Sequence, residues 1–293
     1  MSQTETWTVG RLLAWTNDYF AKRGADSPRL DAEVLLAEAL GCRRIDLYAR
    51  FDDVPDDARR ARFREMVCRR AEHAPVAYLV GHREFYSLSF RVTPDVLIPR
   101  PETELLVVAA LDRLKTRGND DRSAAVCDAG TGSGAIAVTL AKHLPGARLT
   151  AVDLSEAALA VARENAQSHG VADRIEFVQS DLLAALPPES RFDLIASNPP
   201  YVSESEWADL SPEVRDHEPR MALVAGPRGT EVIERLLTEA AARLKSGGHL
   251  LVEISPMIHA AVCSLVEASG KFDSPETIKD LARLPRIVCA RLQ

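Results

Sequence analysis

The sequence predicts an α/β protein in which a small helical N-terminal domain precedes a mostly parallel, doubly wound sheet. Strand-like and helix-like segments alternate from about residue 124 onward, which is typical of βα units. The glycine-rich segment 130–134 joins the first of these strands to a helix, as at the ligand-binding edge of Rossmann-like sheets. The first 80 residues instead carry apolar side chains at helical spacing.

The N-terminal domain is predicted over residues 1–80 as a helical bundle. Apolar residues recur at helical spacing through 12–20 and 32–40, and Gly41 is a natural C-terminal stop. Asp56 is placed to cap a later helix with an arginine-rich face. That face carries Arg59, Arg60, Arg62, Arg64, Arg69 and Arg70. Two interpretations stay open for it: a solvated helix face, or a docking surface for an acidic partner or RNA.

Residues 81–98 are predicted to form a β-hairpin connector, because the stretch 85–92 is rich in strand formers and partly alternates. A proline-braced turn at 97–104 then opens a helix. We expect Glu102 or Thr103 to help satisfy the first backbone N–H groups of that helix.

Residues 99–293 are predicted to form the catalytic domain. Its strands are expected at 124–128, 148–153, 175–179, 192–197, 248–254 and 287–291. Its helices are expected at 134–143, 155–169, 230–244 and 258–268. No internal repeat or low-complexity segment interrupts the series.

Composition narrows the class of protein. Residues 1–80 hold 13 basic and 13 acidic side chains, so the whole net charge of −7 lies in residues 81–293. An acidic catalytic half argues against stable nucleic-acid binding. The five cysteines are scattered, the histidines lack ligand spacing, and neither a signal peptide nor a membrane-length apolar run is evident. We therefore expect a cytoplasmic monomer with reduced thiols, no metal and no membrane association.

The glycine-rich loop predicts a nucleotide-like cofactor, since glycine permits tight turns and helix N-terminal N–H groups then face the ligand. The spacing also satisfies a loose dinucleotide pattern, and Asp153 suits a ribose in either case. Asp128 favours S-adenosylmethionine, because its charge suits a cationic methionine group and not a pyrophosphate. Asp181, with Leu182 behind it, is placed to accept from an adenine amino group. The alternative for Asp181 is a helix cap.

The tetrapeptide Asn198-Pro199-Pro200-Tyr201, an NPPY motif, ends an apolar strand and predicts methyl transfer to a planar NH2 nitrogen. Such a nitrogen is a poor nucleophile because its lone pair is delocalised. Hydrogen bonds from it to the Asn198 side-chain oxygen and the Pro199 carbonyl would stabilise the charge that develops there. Tyr201 offers an aromatic face to the planar group. An ordinary proline turn is the alternative.

With these motifs the chain resembles the bacterial peptide-chain release factor N5-glutamine methyltransferases, the PrmC/HemK family, over nearly its whole length. The more specific resemblance lies in Gly81-His82-Arg83-Glu84-Phe85-Tyr86 and in the segment 96–104. Matches at 212–214, 218–219, 222–223 and 226–229 extend it. Two departures are Ser255-Pro256, where the family has Gly, and Arg283-Leu284-Pro285-Arg286, where it has a Gly-x-x-Arg pattern. They put local loop geometry and partner fit in question more than the reaction.

The resemblance implies a Rossmann-like class I methyltransferase domain that uses S-adenosylmethionine. The implied substrate is the Gly-Gly-Gln glutamine of class 1 release factors, methylated on its amide nitrogen in translation termination, with the helical domain helping to grip the partner. The predicted cofactor residues are Asp128, Gly130, Thr131, Gly132, Ser133, Gly134, Asp153, Asp181, Leu182 and Asn198. The predicted catalytic and substrate-binding residues are Asn198, Pro199, Pro200 and Tyr201.

Three other functions are compatible with parts of the sequence. An RNA or DNA amino-methyltransferase shares the NPPY motif but would favour a basic catalytic face. A non-catalytic cofactor-binding scaffold has no use for Asn198. A nicotinamide-dependent oxidoreductase leaves the Pro-Pro-Tyr corner unexplained.

Overall fold

The computed structural model describes residues 6–115 and 124–293. Residues 1–5 of the predicted N-terminal domain and residues 116–123 of the predicted catalytic domain lie outside the described residues. The chain divides into two compact units. The first comprises Met1–Gly81 with Pro212–His217, and the second His82–Ser211 with Glu218–Gln293. The inclusion of Pro212–His217 in the first unit was not among the predictions.

The first unit is helical, as predicted. Its N-terminal part forms α1 (Val9–Ala21), α2 (Pro28–Leu40), α3 (Asp46–Ala49), α4 (Asp57–Ala71) and α5 (Val76–Val80). Asp56 caps α4 by accepting from the Arg59 backbone N–H at 2.8 Å, and Gly41 ends α2 in the left-handed conformation. Phe20, Leu35 and Leu36 lie in its buried core. The two predicted helix ends, at Asp56 and Gly41, and the predicted apolar faces are thus found in the structure.

The second unit begins with the predicted hairpin, β1 (His82–Phe85) and β2 (Leu88–Arg91). Its two-residue turn, Tyr86-Ser87, has positive φ at both positions, the turn that fits the twist of antiparallel strands. Phe85 and Phe90 face the core, with ring centroids 6.0 Å apart. The hairpin therefore belongs to the sheet unit.

The remaining elements follow in chain order. They are α6 (Glu104–Lys115), β3 (Ala125–Ala129), α7 (Ala135–His143), β4 (Arg148–Asp153), α8 (Glu156–Ser168), β5 (Ile175–Gln179), β6 (Phe192–Ser197), β7 (Val202–Ser203), α9 (Pro212–His217), β8 (Val224–Gly226), α10 (Glu231–Arg243), β9 (Leu244–Glu253), α11 (His259–Ser269), β10 (Glu276–Lys279) and β11 (Pro285–Arg291). A 3-10 turn at Pro101–Thr103 leads into α6. Of these, β7, α9, β8 and β10 were not predicted.

The large sheet has the strand order β10-β11-β9-β6-β3-β4-β5. The strands from β9 to β5 run parallel, whereas β11 pairs antiparallel with both β9 and β10. The chain moves from β3 outward to β5 and then returns to β6 on the other side of β3. The carboxyl ends of β3 and β6 therefore form the topological switch point, where open α/β sheets bind their ligands.

Among the helices in residues 6–115 and 124–293, none has both the length and the hydrophobicity that a membrane crossing requires.

Candidate functional site

A cavity of about 270 Å³ lies at the switch point, within the second unit. Nine of the thirteen predicted site residues line it: Gly130, Thr131, Gly132, Ser133, Asp153, Asp181, Leu182, Asn198 and Pro200. Asp128, Gly134, Pro199 and Tyr201 are not among its lining residues. The sheet explains the meeting of the two motifs, since Ala129 of β3 pairs with Ser197 of β6. The glycine-rich loop and the NPPY motif begin at the residues that follow.

The glycine-rich loop leaves open space where a ligand could approach. Gly130 and Gly132 have φ values of 74° and 54°, in the left-handed region that favours glycine. A Cβ added at either position would meet no other atom within 4 Å. The Gly132 N–H is fixed by the Asp153 carboxylate at 2.8 Å. The loop is therefore held from one side and open on the other.

Asp128 lies behind this loop. It is fully buried, and its Oδ2 accepts from the Thr131 hydroxyl at 2.7 Å and from the Ala137 N–H at 3.1 Å. Within the described chain its Oδ1 has no hydrogen-bond partner. Burial raises the pKa of Asp128 to about 7. These hydrogen bonds join the loop to α7. The electrostatic role expected of Asp128 toward the cofactor stays a prediction.

Asp153 ends β4 and lines the cavity. Its two oxygens accept from the N–H groups of Gly132 and Ser155, at 2.8 and 2.9 Å. Burial raises its pKa despite these bonds. Each carboxylate oxygen has a second lone pair, so the group can still accept from a ligand hydroxyl.

Asp181 lines the cavity, and its surroundings exclude one of the two interpretations made for it. No α-helix follows it, so the helix-cap alternative is wrong. The turn at 181–186 is held instead by Ser180 and Glu239, which accept from the Ala185 and Leu183 N–H groups. Asp181 forms an ion pair with Arg235 at 2.7 Å, a partner that the sequence did not indicate. Leu182 lines the cavity beside it.

The Asn198 side chain is held by Thr103, a residue that was predicted to cap a helix. Its Nδ2 donates to the Thr103 Oγ1 at 3.1 Å. The expectation that Glu102 or Thr103 caps the following helix is wrong, because no side chain caps this turn. Thr103 also lines the cavity, and the motifs did not predict it as a site residue.

Tyr201 is packed against the core that includes β9 and α10, and it does not line the cavity. Burial, with the Glu253 carboxylate nearby, raises its pKa well above the ordinary value. The phenol is therefore neutral at physiological pH. In this structure the ring faces protein.

A partly buried ion pair joins two loops that border the cavity. Glu218 accepts from the Arg100 side chain at 2.6 Å and from the Ile98 N–H at 3.2 Å. Leu97, Pro99 and Pro219, next to these residues, line the cavity. The signal for this pair was present in the 97–104 and 218–219 segments, but nothing in one sequence shows that they meet.

The arginine-rich face of α4 is largely neutralised within the first unit. Arg59, Arg60 and Arg62 pair with Asp56, Asp57 and Glu38. The nearly buried Arg70 pairs with Asp31 at 2.8 Å and with Glu213 of α9 at 2.7 Å. These pairs weaken the interpretation of the face as a docking surface and give Arg70 a structural role.

Alanine in place of Gly229 is expected to lower kcat about tenfold, because a small misplacement of catalytic groups is costly. Gly229 has a φ of 81°, and a Cβ there would lie 2.7 Å from the Tyr201 carbonyl oxygen. The NPPY backbone would have to move. Steady-state kinetics of the purified variant, with its unfolding curve, measures the effect.

Gly170→Ala is the matched control for Gly229→Ala. Gly170 has a φ of 67°, but a Cβ there would meet nothing within 4 Å. It incurs the same left-handed strain of about 1 kcal/mol without displacing Tyr201. Equal kcat values in the two variants would show that the contact with Tyr201 does not matter.

Two protein families and many relatives match this chain. Residues 11–81 match the family described as PrmC N-terminal domain, and residues 103–212 match the family described as Methyltransferase small domain. A "Release factor glutamine methyltransferase" of Rhodopirellula baltica is 53% identical over 98% of this chain and 97% of that protein. One of the same description from Chlorobaculum tepidum is 43% identical, over 98% of each chain.

Solved structures give the same picture of the fold. The N-terminal domain of human METTL16 in complex with SAH superposes with a TM-score of 0.53 at 19% identity, covering 78% of this chain and 83% of that one. At that identity the likeness concerns the fold alone. With the sheet and the Methyltransferase small domain match, it confirms the predicted Rossmann-like class I methyltransferase fold.

Proposed function

The chain belongs to the release factor glutamine methyltransferase family, and from this premise we propose its reaction. It is an S-adenosylmethionine-dependent methyltransferase. The proposed acceptor is the side-chain amide nitrogen, N5, of the glutamine in the Gly-Gly-Gln motif of class 1 translation termination release factors. The observation that carries the proposal is the placement of Asn198 on the cavity that the glycine-rich loop and Asp153 also line.

The residues at the cavity fit the cofactor. The loop at Gly130 and Gly132 has no side chain in the way and no neighbouring atom where one would stand. Asp153 has lone pairs left for ribose hydroxyls. Leu182 offers an apolar surface beside Asp181 for an adenine ring. Once bound there, S-adenosylmethionine supplies a methyl group on a positively charged sulfur, which an aligned nucleophile can displace.

Asn198 gives the acceptor site its chemistry. The Asn198 amide nitrogen donates to the Thr103 hydroxyl oxygen at 3.1 Å, and this bond orients the amide. The Asn198 Oδ1 is then free to accept one N–H of the glutamine. We assign the second N–H to the Pro199 backbone carbonyl. Both bonds strengthen as positive charge develops on the nitrogen.

No general base is required in this scheme. A glutamine amide that has gained a methyl group carries a strongly acidic proton, which water removes. The chain's contribution is therefore alignment and electrostatic stabilisation. Asp128 and Gly134 are proposed to act indirectly, by fixing the loop to α7. Pro199 and Pro200 are proposed to keep the corner rigid.

The helical unit is proposed to help hold the release factor, with domain limits of 1–80, 81–98 for the hairpin connector and 99–293. A monomeric state, a cytoplasmic location and the absence of stable nucleic-acid binding remain predictions from composition. The net charge of −7 in residues 81–293 supports a protein acceptor over a nucleic acid.

The test is to incubate the enzyme with methyl-labelled S-adenosylmethionine, a class 1 release factor and total RNA together. We expect label on the release factor, which mass spectrometry should locate on the Gly-Gly-Gln glutamine. A release factor with alanine at that glutamine is the matched control and should stay unlabelled. Label on RNA, or on the alanine variant, would overturn the proposal.

A further inference from the structure

We propose that Asn165 of α8 is a positioning residue for the cofactor, which holds the glycine-rich loop in its binding conformation from behind. This role belongs to the cofactor half of the proposed function and rests on it. Asn165 is not among the residues that line the cavity, whereas its partner Ser133 is. Asn165 therefore acts through Ser133.

The Asn165 side chain lies between two segments that are distant from it in sequence. It is 1% exposed. Its Nδ2 donates to the Ser133 carbonyl at 2.8 Å and to the Arg91 carbonyl at 3.0 Å. Its Oδ1 accepts from the Arg91 N–H at 2.7 Å. Since Arg91 ends β2, one buried amide joins the cofactor loop, the hairpin and α8.

The three hydrogen bonds fix which way the amide points. A side-chain amide donates only through its nitrogen and accepts only through its oxygen. If it were turned over, the Asn165 oxygen would face two carbonyl oxygens and its NH2 would face an N–H. The orientation with all three bonds uses both protons of the NH2, and one of them goes to the loop.

The hairpin has other anchors on the same helix. The His169 Nε2 donates to the Ser89 carbonyl at 2.8 Å, and Glu164 forms an ion pair with Arg91. Burying an amide is costly unless it is hydrogen-bonded, so a residue of this kind needs a reason. The bond from Asn165 to Ser133 is the contact that the other two anchors do not duplicate.

Three consecutive residues of the loop, 131–133, are each held by a side chain from outside the loop. Asp128 of β3 accepts from the first, Asp153 of β4 accepts from the second, and Asn165 of α8 donates to the third. A loop held at each residue loses little freedom when a ligand binds, which favours affinity. Asn165 is the member of this set that the motifs did not indicate.

The helix α8 also determines how closely the loop can approach. Gly134 has a φ of 81°, and a Cβ there would lie 3.1 Å from the Ala162 Cβ. Ala162 and Asn165 are three residues apart, so they share a face of α8. The Ser133 carbonyl and the Gly134 N–H belong to one peptide unit, and that N–H donates to the Thr131 carbonyl at 2.8 Å. Asn165 thus fixes the peptide plane that leads into α7.

The first experiment measures cofactor affinity by calorimetric titration with S-adenosylhomocysteine. We expect Asn165→Ala to raise the Kd about tenfold, the scale of one neutral hydrogen bond, because the loop loses the donor that fixes Ser133. The KM for S-adenosylmethionine should rise by a similar factor, while kcat changes less. A merely structural role would reduce the amount of folded enzyme and leave the Kd of the folded fraction unchanged.

Asn165→Asp is a second variant that leaves no cavity. It keeps the size of the side chain and an oxygen for the Arg91 N–H, but it has no NH2 to donate to the Ser133 carbonyl. We expect it to bind the cofactor as weakly as the alanine variant does. His169→Ala is the matched control, because it removes a hydrogen bond between α8 and the hairpin and leaves Ser133 bonded. Its Kd should equal that of wild type.

Wild-type affinity in either variant at position 165 would overturn the proposal. An equal loss of affinity in His169→Ala would overturn it as well, since the effect would then belong to the hairpin.

A second experiment observes the loop without cofactor or acceptor. In the unliganded 15N-labelled enzyme, we expect the Gly134 amide signal to shift, and its hydrogen exchange to accelerate, in Asn165→Ala and Asn165→Asp. Neither should change in His169→Ala. A Gly134 amide that behaves as in wild type in both variants at position 165 would refute the role given to Asn165. If no release factor is labelled, the proposed function fails, while the titration and the amide signal still decide the role of Asn165.

Discussion

Replacing Asn198 with alanine is expected to lower kcat by about 10²–10³, the scale seen when one positioned hydrogen-bonding group is removed. In the proposed reaction the side-chain oxygen accepts a hydrogen bond from the acceptor nitrogen, and alanine has no such oxygen. Cofactor binding should be nearly intact, because Asp153 and the glycine-rich loop are untouched. Single-turnover methylation of a release factor, with calorimetric titration of S-adenosylhomocysteine, measures both quantities.

Asn198→Asp is the informative companion variant. It keeps the size of the side chain and has oxygens to accept with, but it cannot donate to the Thr103 oxygen, which then faces a carboxylate. We expect it to be impaired as well. If the alanine variant turned over at nearly the wild-type rate, the role given to the NPPY motif would be wrong.

Replacing Asp153 with alanine is expected to weaken cofactor binding about 10- to 100-fold, as hydrogen bonds to a charged group contribute about 1.5–3 kcal/mol. Two effects add. The ribose loses its acceptor, and the N–H groups of Gly132 and Ser155 lose the carboxylate that fixes them. Calorimetric titration gives the dissociation constant. At saturating cofactor, kcat should recover much of its wild-type value.

Asp173→Ala is the control for Asp153→Ala. It removes an exposed carboxylate that precedes β5, at the opposite edge of the sheet from the end of β4. Its affinity for the cofactor should match that of wild type. An unchanged dissociation constant in Asp153→Ala would exclude the assigned ribose contact.

Most helices and strands could be predicted because the apolar pattern and the capping residues of each lie within its own short segment of sequence. The strands 148–153, 175–179 and 192–197 have the predicted bounds, and Asp56 and Gly41 act as the caps expected. The short strand β10 was missed because its four residues carry little pattern and it exists only by pairing with β11. The start of β9 was placed four residues late, since Lys245-Ser246-Gly247-Gly248 has the composition of a turn.

The sequence was sufficient to predict the two motifs of the site. It was not sufficient to predict most of the side-chain contacts within the site. The ends of β3 and β6 bring Gly130 and Asn198 to one cavity, as the doubly wound topology required. The local patterns did not reveal that Asp128 would face α7, that Asp181 would pair with Arg235, or that Tyr201 would face the core. Those outcomes depend on residues distant in sequence.

The inclusion of Pro212–His217 in the helical unit means that this unit is encoded in two separate pieces. Arg70 binds Asp31 and Glu213 together, so a chain cut near residue 81 separates Arg70 from Glu213 and leaves it paired with Asp31 alone. The Glu213 side chain is 38% exposed and Arg70 keeps one partner, so the cost is below the figure of about 3–5 kcal/mol for breaking a fully buried pair. A chimera that exchanges helical domains between relatives must therefore carry residues 212–217 with the donor.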